Sequence, residues 1–344
     1  MLATRLRRAL ENGALTLPET GIIAVFGARA GDDLSALPME RVQVIQPMRP
    51  DHDALAARGF ETVVAPKGRF AAAIVCLPRA RDAGRARIAA AAAQTDGTVI
   101  VDGQKSDGVD AMLRACRKRA AVAEPVVKGH GKLFALAAAQ AELADWAAAP
   151  VTLPEGFVTC PGVFSADGID PGSALLAAAL PRELSARVAD FGAGWGYLAA
   201  HALARDGVTQ IDLVEADHDA LDCARHNVTD CRARFRWADA TAFKAEAPYD
   251  AILMNPPFHA SRAPDPALGQ AFIAAAARNL ARDGVLWMVA NRHLPYRAAL
   301  DDTFAEIETV VAQGGYCLYR AARPAARRRH ADRSRTQPDR IRSR

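Results

Sequence analysis

The stretch Val188-Ala-Asp-Phe-Gly-Ala-Gly-Trp-Gly-Tyr-Leu198 decides the fold that the sequence predicts. It begins with small and β-branched apolar residues, passes through three closely spaced glycines, and continues into an Ala-rich segment. Glycines at such a position let the backbone turn tightly and approach a ligand closely. We therefore predict a strand, a ligand-binding turn and a helix, the opening unit of an α/β domain.

Short apolar segments alternate with Ala-rich segments on both sides of this stretch. The predicted strands are 22–26, 42–45, 62–65, 72–77, 98–101, 125–127 and 132–137, then 186–191, 209–215, 234–237, 250–254 and 285–290. The predicted helices are 51–58, 79–93 and 106–121, then 196–205, 217–228 and 266–281. This alternation predicts parallel sheets with helices on both faces.

The two halves of the chain share the order of their elements. The segment Phe70–Pro78 parallels Tyr249–Pro257, and each is followed by an Ala-rich helix and a further apolar strand. We predict two tandem Rossmann-like domains, 1–150 and 151–323, joined by a Pro- and Gly-rich linker. The first half lacks the acid at the glycine turn and the Asn-Pro-Pro-Phe segment, so it is predicted to be a degenerate copy. The alternative is that similar composition alone makes the halves alike.

The charge of the chain is unevenly distributed. The 344 residues carry a net charge of +4, but ten Arg and two Asp lie between Arg320 and Arg344, so the rest is net acidic. We predict a disordered basic tail, 324–344, which either contacts phosphates or is simply a solvated end. No run of 18 uncharged apolar residues occurs, which excludes a membrane-spanning helix from the prediction.

Cysteine usage and the N-terminus predict a cytoplasmic protein. The six cysteines form no C-x-x-C pair, which favours buried free thiols over a disulfide framework or a metal site. Arg5, Arg7 and Arg8 are followed by Glu11 before any long apolar segment, a pattern that favours a surface helix over a signal peptide.

The glycine turn predicts the kind of cofactor. It has the form Asp190-x-Gly192-x-Gly194-x-Gly196, and the position where a dinucleotide fingerprint needs its third glycine is Tyr197. An acid at the strand end repels a pyrophosphate and attracts an ammonium group. The turn therefore favours S-adenosylmethionine, a ligand with an amino-acid end, over NAD.

Two further acids follow at successive strand ends. Glu215 ends the strand 209–215, where a carboxylate can accept both hydroxyls of a ribose, and Asp239 follows the next strand, where it can accept from an adenine amino group. Each acid by itself is better explained as a helix cap or a surface charge. Their order along the sheet favours the cofactor interpretation.

Asn255-Pro-Pro-Phe258 follows the strand that ends at Met254. Pro256 and Pro257 stiffen the turn, so that the Asn255 side-chain carbonyl and the Pro256 backbone carbonyl can accept both hydrogens of a planar amine. These acceptors stabilise the positive charge that develops on the amine as it attacks a methyl group. Phe258 is placed to stack on the ring that bears the amine. We predict a catalytic loop at 255–258; the alternative is a rigid turn with a core Phe.

These motifs resemble class I S-adenosylmethionine-dependent methyltransferases of the N-P-P-[FY] type, and most closely the ribosomal RNA small subunit methyltransferase C family. The likeness covers residues 161–323. The matching segments are Gly162-Val-Phe-Ser165, Gly168-Ile-Asp-Pro-Gly-Ser173, Asp190-Phe-Gly-Ala-Gly194, Asn255-Pro-Pro-Phe-His259, Val289-Ala-Asn291, Leu294-Pro-Tyr296 and Gly315-Tyr-Cys-Leu-Tyr-Arg320.

The resemblance implies methylation of the exocyclic N2 amine of a guanine in 16S rRNA, with S-adenosylmethionine as cofactor. It places the cofactor at Asp190, Gly192, Gly194, Glu215 and Asp239, and the amine at Asn255–Phe258. Phe164 and His259 become substrate-binding candidates; a core Phe and a structural His are the alternatives. Trp195 departs from the small residue expected there, and either crowds the cofactor or packs under the helix.

Other functions remain compatible with the same motifs. The loop also suits adenine N6, cytosine N4 or a protein glutamine, although Tyr often replaces Phe258 in those enzymes. A non-catalytic RNA-binding assembly factor is the third interpretation, and the intact Asn255 and Asp190 argue against it. The expected partner is rRNA or the small ribosomal subunit, without membrane or metal. The N-terminal domain is expected to scaffold and to bind RNA. Its candidate basic residues are Arg79, Arg81, Arg85, Arg87, Arg114, Arg117, Lys118 and Arg119.

Overall fold

The computed structural model describes residues 2–137, 140–257 and 266–325. Within these residues each half of the chain forms a seven-stranded sheet, and a two-stranded sheet lies between them in sequence. The strands are β1 Ile23–Phe26, β2 Val42–Ile45, β3 Glu61–Val63, β4 Phe70–Cys76, β5 Thr95–Gln104, β6 Val126–Lys128, β7 Gly131–Ala137, β8 Val151–Thr152, β9 Val158–Thr159, β10 Arg187–Phe191, β11 Gln210–Glu215, β12 Ala233–Trp237, β13 Tyr249–Met254, β14 Leu280–Asn291, β15 Phe304–Gln313 and β16 Tyr316–Pro324. The helices are α1 Leu2–Glu11, α2 Arg49–Ala57, α3 Arg81–Gln94, α4 Val109–Arg117, α5 Gln140–Leu143, α6 Pro171–Ala179, α7 Tyr197–Leu203, α8 His218–Asn227, α9 Pro266–Asn279 and α10 Tyr296–Thr303.

Both large sheets have the same strand order. It is β3-β2-β1-β4-β5-β7-β6 in the N-terminal half and β12-β11-β10-β13-β14-β16-β15 in the C-terminal half. The first five strands of each sheet are parallel, but the last two pair antiparallel. The prediction of purely parallel sheets is therefore wrong at this edge. Only two residues separate β6 from β7, and only two separate β15 from β16, so neither link is long enough for a parallel crossover.

The pairing register makes the two sheets comparable residue by residue. Phe26 pairs with Ile45 and Val75, and Phe191 pairs with Val214 and Met254. The next backbone contact is also repeated: the Gly27 amide donates to the Ile45 carbonyl at 2.9 Å, and the Gly192 amide donates to the Val214 carbonyl at 2.8 Å. Shared order, register and turn contact go beyond similar composition, and they support the duplication.

Apolar side chains bury both faces of the C-terminal sheet. Successive residues of β10 point to opposite faces, so Val188 belongs to one apolar cluster while Ala189 and Phe191 belong to the other. Asp190 is a charged residue within this buried strand. The packing of the sheet therefore carries a carboxylate to the start of the glycine turn.

The N-terminal helix differs from its prediction. The sequence predicts a surface helix, yet Leu2, Leu6 and Ala9 of α1 are buried because they share one helical face. Arg5 is also buried, and its guanidinium forms a two-pronged ion pair with Asp102 at 2.6 and 2.7 Å. Helix α1 is thus part of the N-terminal core.

The linker region is folded rather than extended. Strands β8 and β9 form a hairpin, and Leu153 and Val163 pack in a small apolar cluster with Trp195. Three of the six free cysteines are buried, namely Cys116, Cys223 and Cys317, while Cys231 is exposed. The expectation of buried thiols therefore holds only in part.

A short pairing of backbone connects the two halves. It joins the segments that follow the second strand of each sheet, β2 and β11. The Arg49 amide donates to the Ala216 carbonyl at 2.8 Å, and the His218 amide donates to the Pro47 carbonyl at 3.0 Å. We call these segments, Pro47–Arg49 and Ala216–His218, the domain seam. Trp237 reinforces it by donating from Nε1 to the same two carbonyls.

Candidate active site

The Asp190 carboxylate lies at the carboxyl end of β10, directly before the glycine turn. Its exposure is 0%, and within the described part of the chain neither carboxylate oxygen has a partner at full hydrogen-bond geometry, although the nearby Ala199 amide lowers its pKa slightly. Burial, and secondly the nearby Glu215 carboxylate, raise the pKa of Asp190 to about 8. A buried carboxylate without a partner is costly to ionise, so a cationic ligand group is the partner that suits it.

Two glycines of the turn are explained by backbone conformation. Gly192 and Gly194 have φ angles of 73° and 54°, a region that residues with side chains rarely adopt. A Cβ on Gly194 would meet nothing within 4 Å, and a Cβ on Gly192 would reach only the Phe272 ring at 3.4 Å. The turn therefore presents bare backbone to an open space.

Gly196 has a different role from the other two glycines. It has a φ of 91° and begins helix α7, and a Cβ there would lie 2.9 Å from Val228 and 3.3 Å from Ala224. Close packing between the start of α7 and the end of α8 thus requires glycine. The structure gives Gly196 a packing contact, and its predicted contact with the cofactor stays a prediction.

Glu215 lies at the end of β11, the neighbour of β10. Its carboxylate accepts from the Gly194 amide at 2.7 Å and from the Asp217 amide at 2.8 Å. Burial raises the pKa of Glu215. These contacts bring two carboxylates, Asp190 and Glu215, to the same glycine turn, as the sequence order predicts.

Asp239 follows β12, the next strand along the same edge. Its Oδ1 accepts from the Thr241 amide at 2.8 Å and from the Thr241 hydroxyl at 2.7 Å. This is a local turn contact and not the helix cap weighed as an alternative, because no helix follows Asp239 in the described stretch before β13. The contact that we proposed between Asp239 and an adenine amino group remains a prediction.

Trp195 points away from the open side of the turn. Its ring is buried against Leu153 and Val163, and its Nε1 donates to the Phe164 carbonyl at 3.0 Å. Of the two alternatives, the packing role is therefore the one observed. Phe164 itself is 51% exposed, so it is not a core residue and stays available to a ligand.

Asn255 lies beside the glycine turn because β13 and β10 are neighbours, with Met254 opposite Phe191. Its Nδ2 donates to Oδ2 of Asp170 at 2.8 Å and to Oγ of Ser173 at 2.9 Å. Pro256 is buried and Pro257 is exposed. Phe258 and His259, the other two predicted members of this loop, lie outside the described residues.

The contacts of Asp170 and Ser173 with Asn255 were not predicted. Asp170 begins helix α6 and also accepts from the Ser173 amide at 2.8 Å. The only sequence signal was the family likeness of the segment 168–173, which assigned these residues no role. Their 82- and 85-residue separation from Asn255 hides the contact from any local pattern.

The N-terminal domain has uncharged residues where the C-terminal site has Asp190 and Glu215. By register, Asp190 corresponds to Val25, Glu215 to Gln46 and Asn255 to Cys76, while Gly194 corresponds to Arg29. Helices α3 and α9 both have 14 residues and end directly before the next strand, which aligns Arg87 with Phe272. The Arg87 guanidinium lies where a Cβ on Gly27 would be, at 2.1 Å. The cleft has therefore lost these two carboxylates, and the Arg87 guanidinium fills the space next to the Gly27 turn.

The residues of the C-terminal site fit S-adenosylmethionine. Asp190 offers a buried carboxylate to an ammonium group, and Glu215 offers carboxylate oxygens beside a bare glycine backbone. The N-terminal cleft offers neither. Within the described ranges we find no group of three or more His, Cys, Asp or Glu side chains arranged for a metal ion. In the same ranges no helix has the length and apolar character needed to cross a membrane.

Comparison with known proteins decides the family. The methyltransferase small domain family matches residues 155–320. Ribosomal RNA small subunit methyltransferase C of Shewanella sp. (strain MR-4) is 31% identical over 238 residues, which cover 65% of this chain and 68% of that protein. This chain belongs to the ribosomal RNA small subunit methyltransferase C family.

Other members of the methyltransferase C family agree with this assignment. The Klebsiella pneumoniae protein is 34% identical over 163 residues, covering 47% of this chain and 48% of its own length. The 16S rRNA N2 G1207 methyltransferase of T. thermophilus, solved in complex with AdoMet and guanosine, has a TM-score of 0.74 at 24% identity and covers 93% of this chain and 91% of its own. The likeness to this structure therefore extends over both domains of the chain.

Membership of the methyltransferase C family confirms three predictions from the sequence. They are the family itself, the fold of two Rossmann-like domains, and an S-adenosylmethionine-dependent methyltransferase as the enzyme class. The individual site residues and the domain limits stay predictions.

Proposed function

We propose that this protein transfers a methyl group from S-adenosylmethionine to the exocyclic N2 amine of a guanine in 16S rRNA. The observation that carries the proposal is the placement of the unpartnered Asp190 carboxylate and of Asn255 at adjacent strand ends. One group suits the amino-acid end of the cofactor, and the other suits an amine. The T. thermophilus relative acts on N2 of G1207 in 16S rRNA, which supports guanine as the base.

The bound cofactor supplies an electrophilic methyl group. Asp190 holds the cationic end of the cofactor, and Glu215 holds the ribose beside the glycine turn. Asn255 Oδ1 and the Pro256 carbonyl accept the two hydrogens of the guanine amine. As the amine nitrogen turns from planar to tetrahedral, these oxygens stabilise its growing positive charge. The surplus proton is lost to water after transfer, so no strong base is required.

The target base has to leave its helix before it can reach Asn255, since pairing and stacking shield its amine. The Phe164 side chain is exposed, and we propose that it stacks on such a base. We further propose that rRNA or a small ribosomal subunit is the partner, and that the protein acts in the cytoplasm.

The decisive experiment is nucleoside mass spectrometry of 16S rRNA from a deletion strain, complemented with the wild-type gene or with Asn255→Ala. We expect one N2-methylguanosine to disappear on deletion and to return only with the wild type. Purified protein is then tested with tritiated cofactor on small subunits, total RNA, DNA and release factor. Transfer to N6 of adenine, N4 of cytosine or a protein glutamine would overturn the substrate; no transfer to any would overturn the activity.

A further inference from the structure

The start of helix α6 reaches across to the loop that follows β13. Asp170 is the N-cap of α6, where its carboxylate accepts from the Ser173 amide. The same Oδ2 atom accepts from Nδ2 of Asn255 at 2.8 Å, and Ser173 Oγ receives a second bond from that nitrogen at 2.9 Å. A residue that caps one helix thus also holds the side chain proposed to bind the substrate amine.

These two contacts remove the rotational ambiguity of an amide. Nδ2 has two hydrogens, and both are directed to acceptors. Turning the amide over would bring Oδ1 against the Asp170 carboxylate, where two oxygens without a proton repel each other. Because the nitrogen side is fixed, the carbonyl Oδ1 of Asn255 faces away from Asp170 and stays available as an acceptor.

We propose that Asp170 and Ser173 are positioning residues, which hold the Asn255 amide with Oδ1 toward the substrate amine and strengthen it as an acceptor. This rests on the function proposed above for Asn255. A carboxylate that accepts from Nδ2 pushes electron density toward Oδ1, so the amide oxygen binds a developing ammonium more strongly. Pre-set orientation also means that no reorganisation is needed during methyl transfer.

Packing of Tyr316 against Gly172 supports the start of helix α6, where Asp170 lies. The ring of Tyr316 lies against Gly172, where a Cβ would approach the ring to 2.8 Å and Oδ2 of Asp170 to 3.0 Å. Burial, and then the Asp170 charge, raise the pKa of Tyr316. Glycine at 172 therefore lets strand β16 close over the Asp170 turn and keep its carboxylate in place.

The test is a double-mutant cycle on the full-length protein with Asp170→Asn, Asn255→Asp and the pair together. Asn is also a good N-cap, so Asp170→Asn keeps α6. We expect kcat to fall about 10–100-fold, the range for a partner that orients a functional ligand group, with KM and the Kd for S-adenosylhomocysteine nearly unchanged. Ser173→Ala, which removes only the weaker bond, should cost less. Asp33→Asn, an Asp that accepts from the Ser35 amide in an exposed turn, is the matched control and should have no effect.

The cycle separates orientation from mere structural damage. Asn255→Asp alone puts two carboxylates together and should lose more activity than Asp170→Asn. In the double variant the amide introduced at position 170 donates to the carboxylate introduced at position 255. That carboxylate still has an oxygen for the amine, so we expect kcat to recover at least about 10-fold over Asn255→Asp. Additive losses, or equal losses in kcat and in cofactor affinity, would overturn the positioning role. The wild-type arm reports on the proposed function separately, because the cycle works with whichever amine the wild type methylates.

Discussion

Asp190 should make the stability of the cofactor-free protein depend on pH. Its folded-state pKa of about 8 exceeds the ordinary value of 3.8, so the folded state holds the proton more tightly than the unfolded state. Stability is then lost as pH rises from about 4 to about 8, with a slope of at most about 1.4 kcal/mol per pH unit. Asp190→Asn removes this slope. Thermal melts from pH 5 to 8 should show the wild type falling relative to Asp190→Asn.

Two additions sharpen that measurement. Asp217→Asn is the variant for comparison. Burial, and then the charges of Asp219 and Glu215, raise the pKa of Asp217 to about 7, so Asp217 makes stability depend on pH as well. This variant should lose the contribution of Asp217 and keep that of Asp190. S-adenosylmethionine should stabilise the wild type increasingly up to about pH 8, since its ammonium group favours ionised Asp190. If the melting temperatures of the wild type and of Asp190→Asn changed with pH in parallel, the raised pKa of Asp190 would be contradicted.

Asn255→Ala should separate chemistry from cofactor binding. The Asn255 side chain donates hydrogen bonds to Asp170 and Ser173 and, among the described residues, none to the glycine turn, so the Kd for S-adenosylhomocysteine should change little. Turnover should fall about 100-fold or more, the scale for losing a group that stabilises transition-state charge. Calorimetry and single-turnover methyl transfer check the two halves of this prediction. Near-normal transfer by the variant would remove Asn255 from the reaction.

At the scale of elements, the glycine turn and the start of α7 should respond differently to alanine. Gly196→Ala brings a Cβ to 2.9 Å from Val228 at a φ of 91°, so it should destabilise the protein by about 1–3 kcal/mol. In Gly194→Ala the new methyl group meets no neighbour within 4 Å, so this variant should be destabilised less than Gly196→Ala. The methyl group enters the open side of the turn, however, where the cofactor is proposed to bind. Denaturant melts should show the larger loss of stability in Gly196→Ala, and cofactor titration should show the larger loss of affinity in Gly194→Ala. The same ranking in both would refute the division.

The elements most visible in the sequence are those whose pattern is local. Strand β2 and strand β10 follow directly from short apolar segments that end at polar turns, and the Asp190 turn follows from its glycines. The antiparallel edge was missed in the C-terminal half because β15 and β16 were not predicted as strands, and in the N-terminal half because the direction of β6 and β7 was not inferred from the short link between them. The bond between Asp170 and Asn255 was missed because tertiary packing alone brings two distant segments together.

At the scale of the whole molecule, the chain should bind one cofactor. The N-terminal cleft carries Gln46 and Val25 where the other site carries carboxylates, and Arg29 and Arg87 add positive charge to it. A cofactor with a cationic amino group therefore finds no carboxylate at the two positions where the C-terminal site offers Asp190 and Glu215. Calorimetric titration should give one equivalent per chain, and Asp190→Ala should weaken it by about 1.5–3 kcal/mol. Two equivalents, or unchanged affinity in Asp190→Ala, would contradict this.

At least four of the eight basic residues predicted to form a patch on the N-terminal domain make intramolecular contacts. Arg119 pairs with Asp145, Arg117 with Glu124, and Arg87 lines the cleft beneath Gly27. Arg85 pairs with Asp82 and lies over the Trp146 ring. Exposed ion pairs of this kind are weak, so they do not prevent these cations from contacting phosphate. RNA binding by the domain stays a prediction.

The contacts at the domain seam are symmetric between the two halves of the chain. By register, Met48 and Asp217 are the same position of the two copies, and they lie opposite each other with reciprocal hydrogen bonds on either side. A residue facing its own counterpart is the mark of an isologous contact, which a two-fold axis generates. Such a contact arises naturally between identical protomers of a homodimer. The chain thus has the arrangement expected when two such protomers are fused end to end, after which one copy is free to lose its carboxylates while the other keeps them.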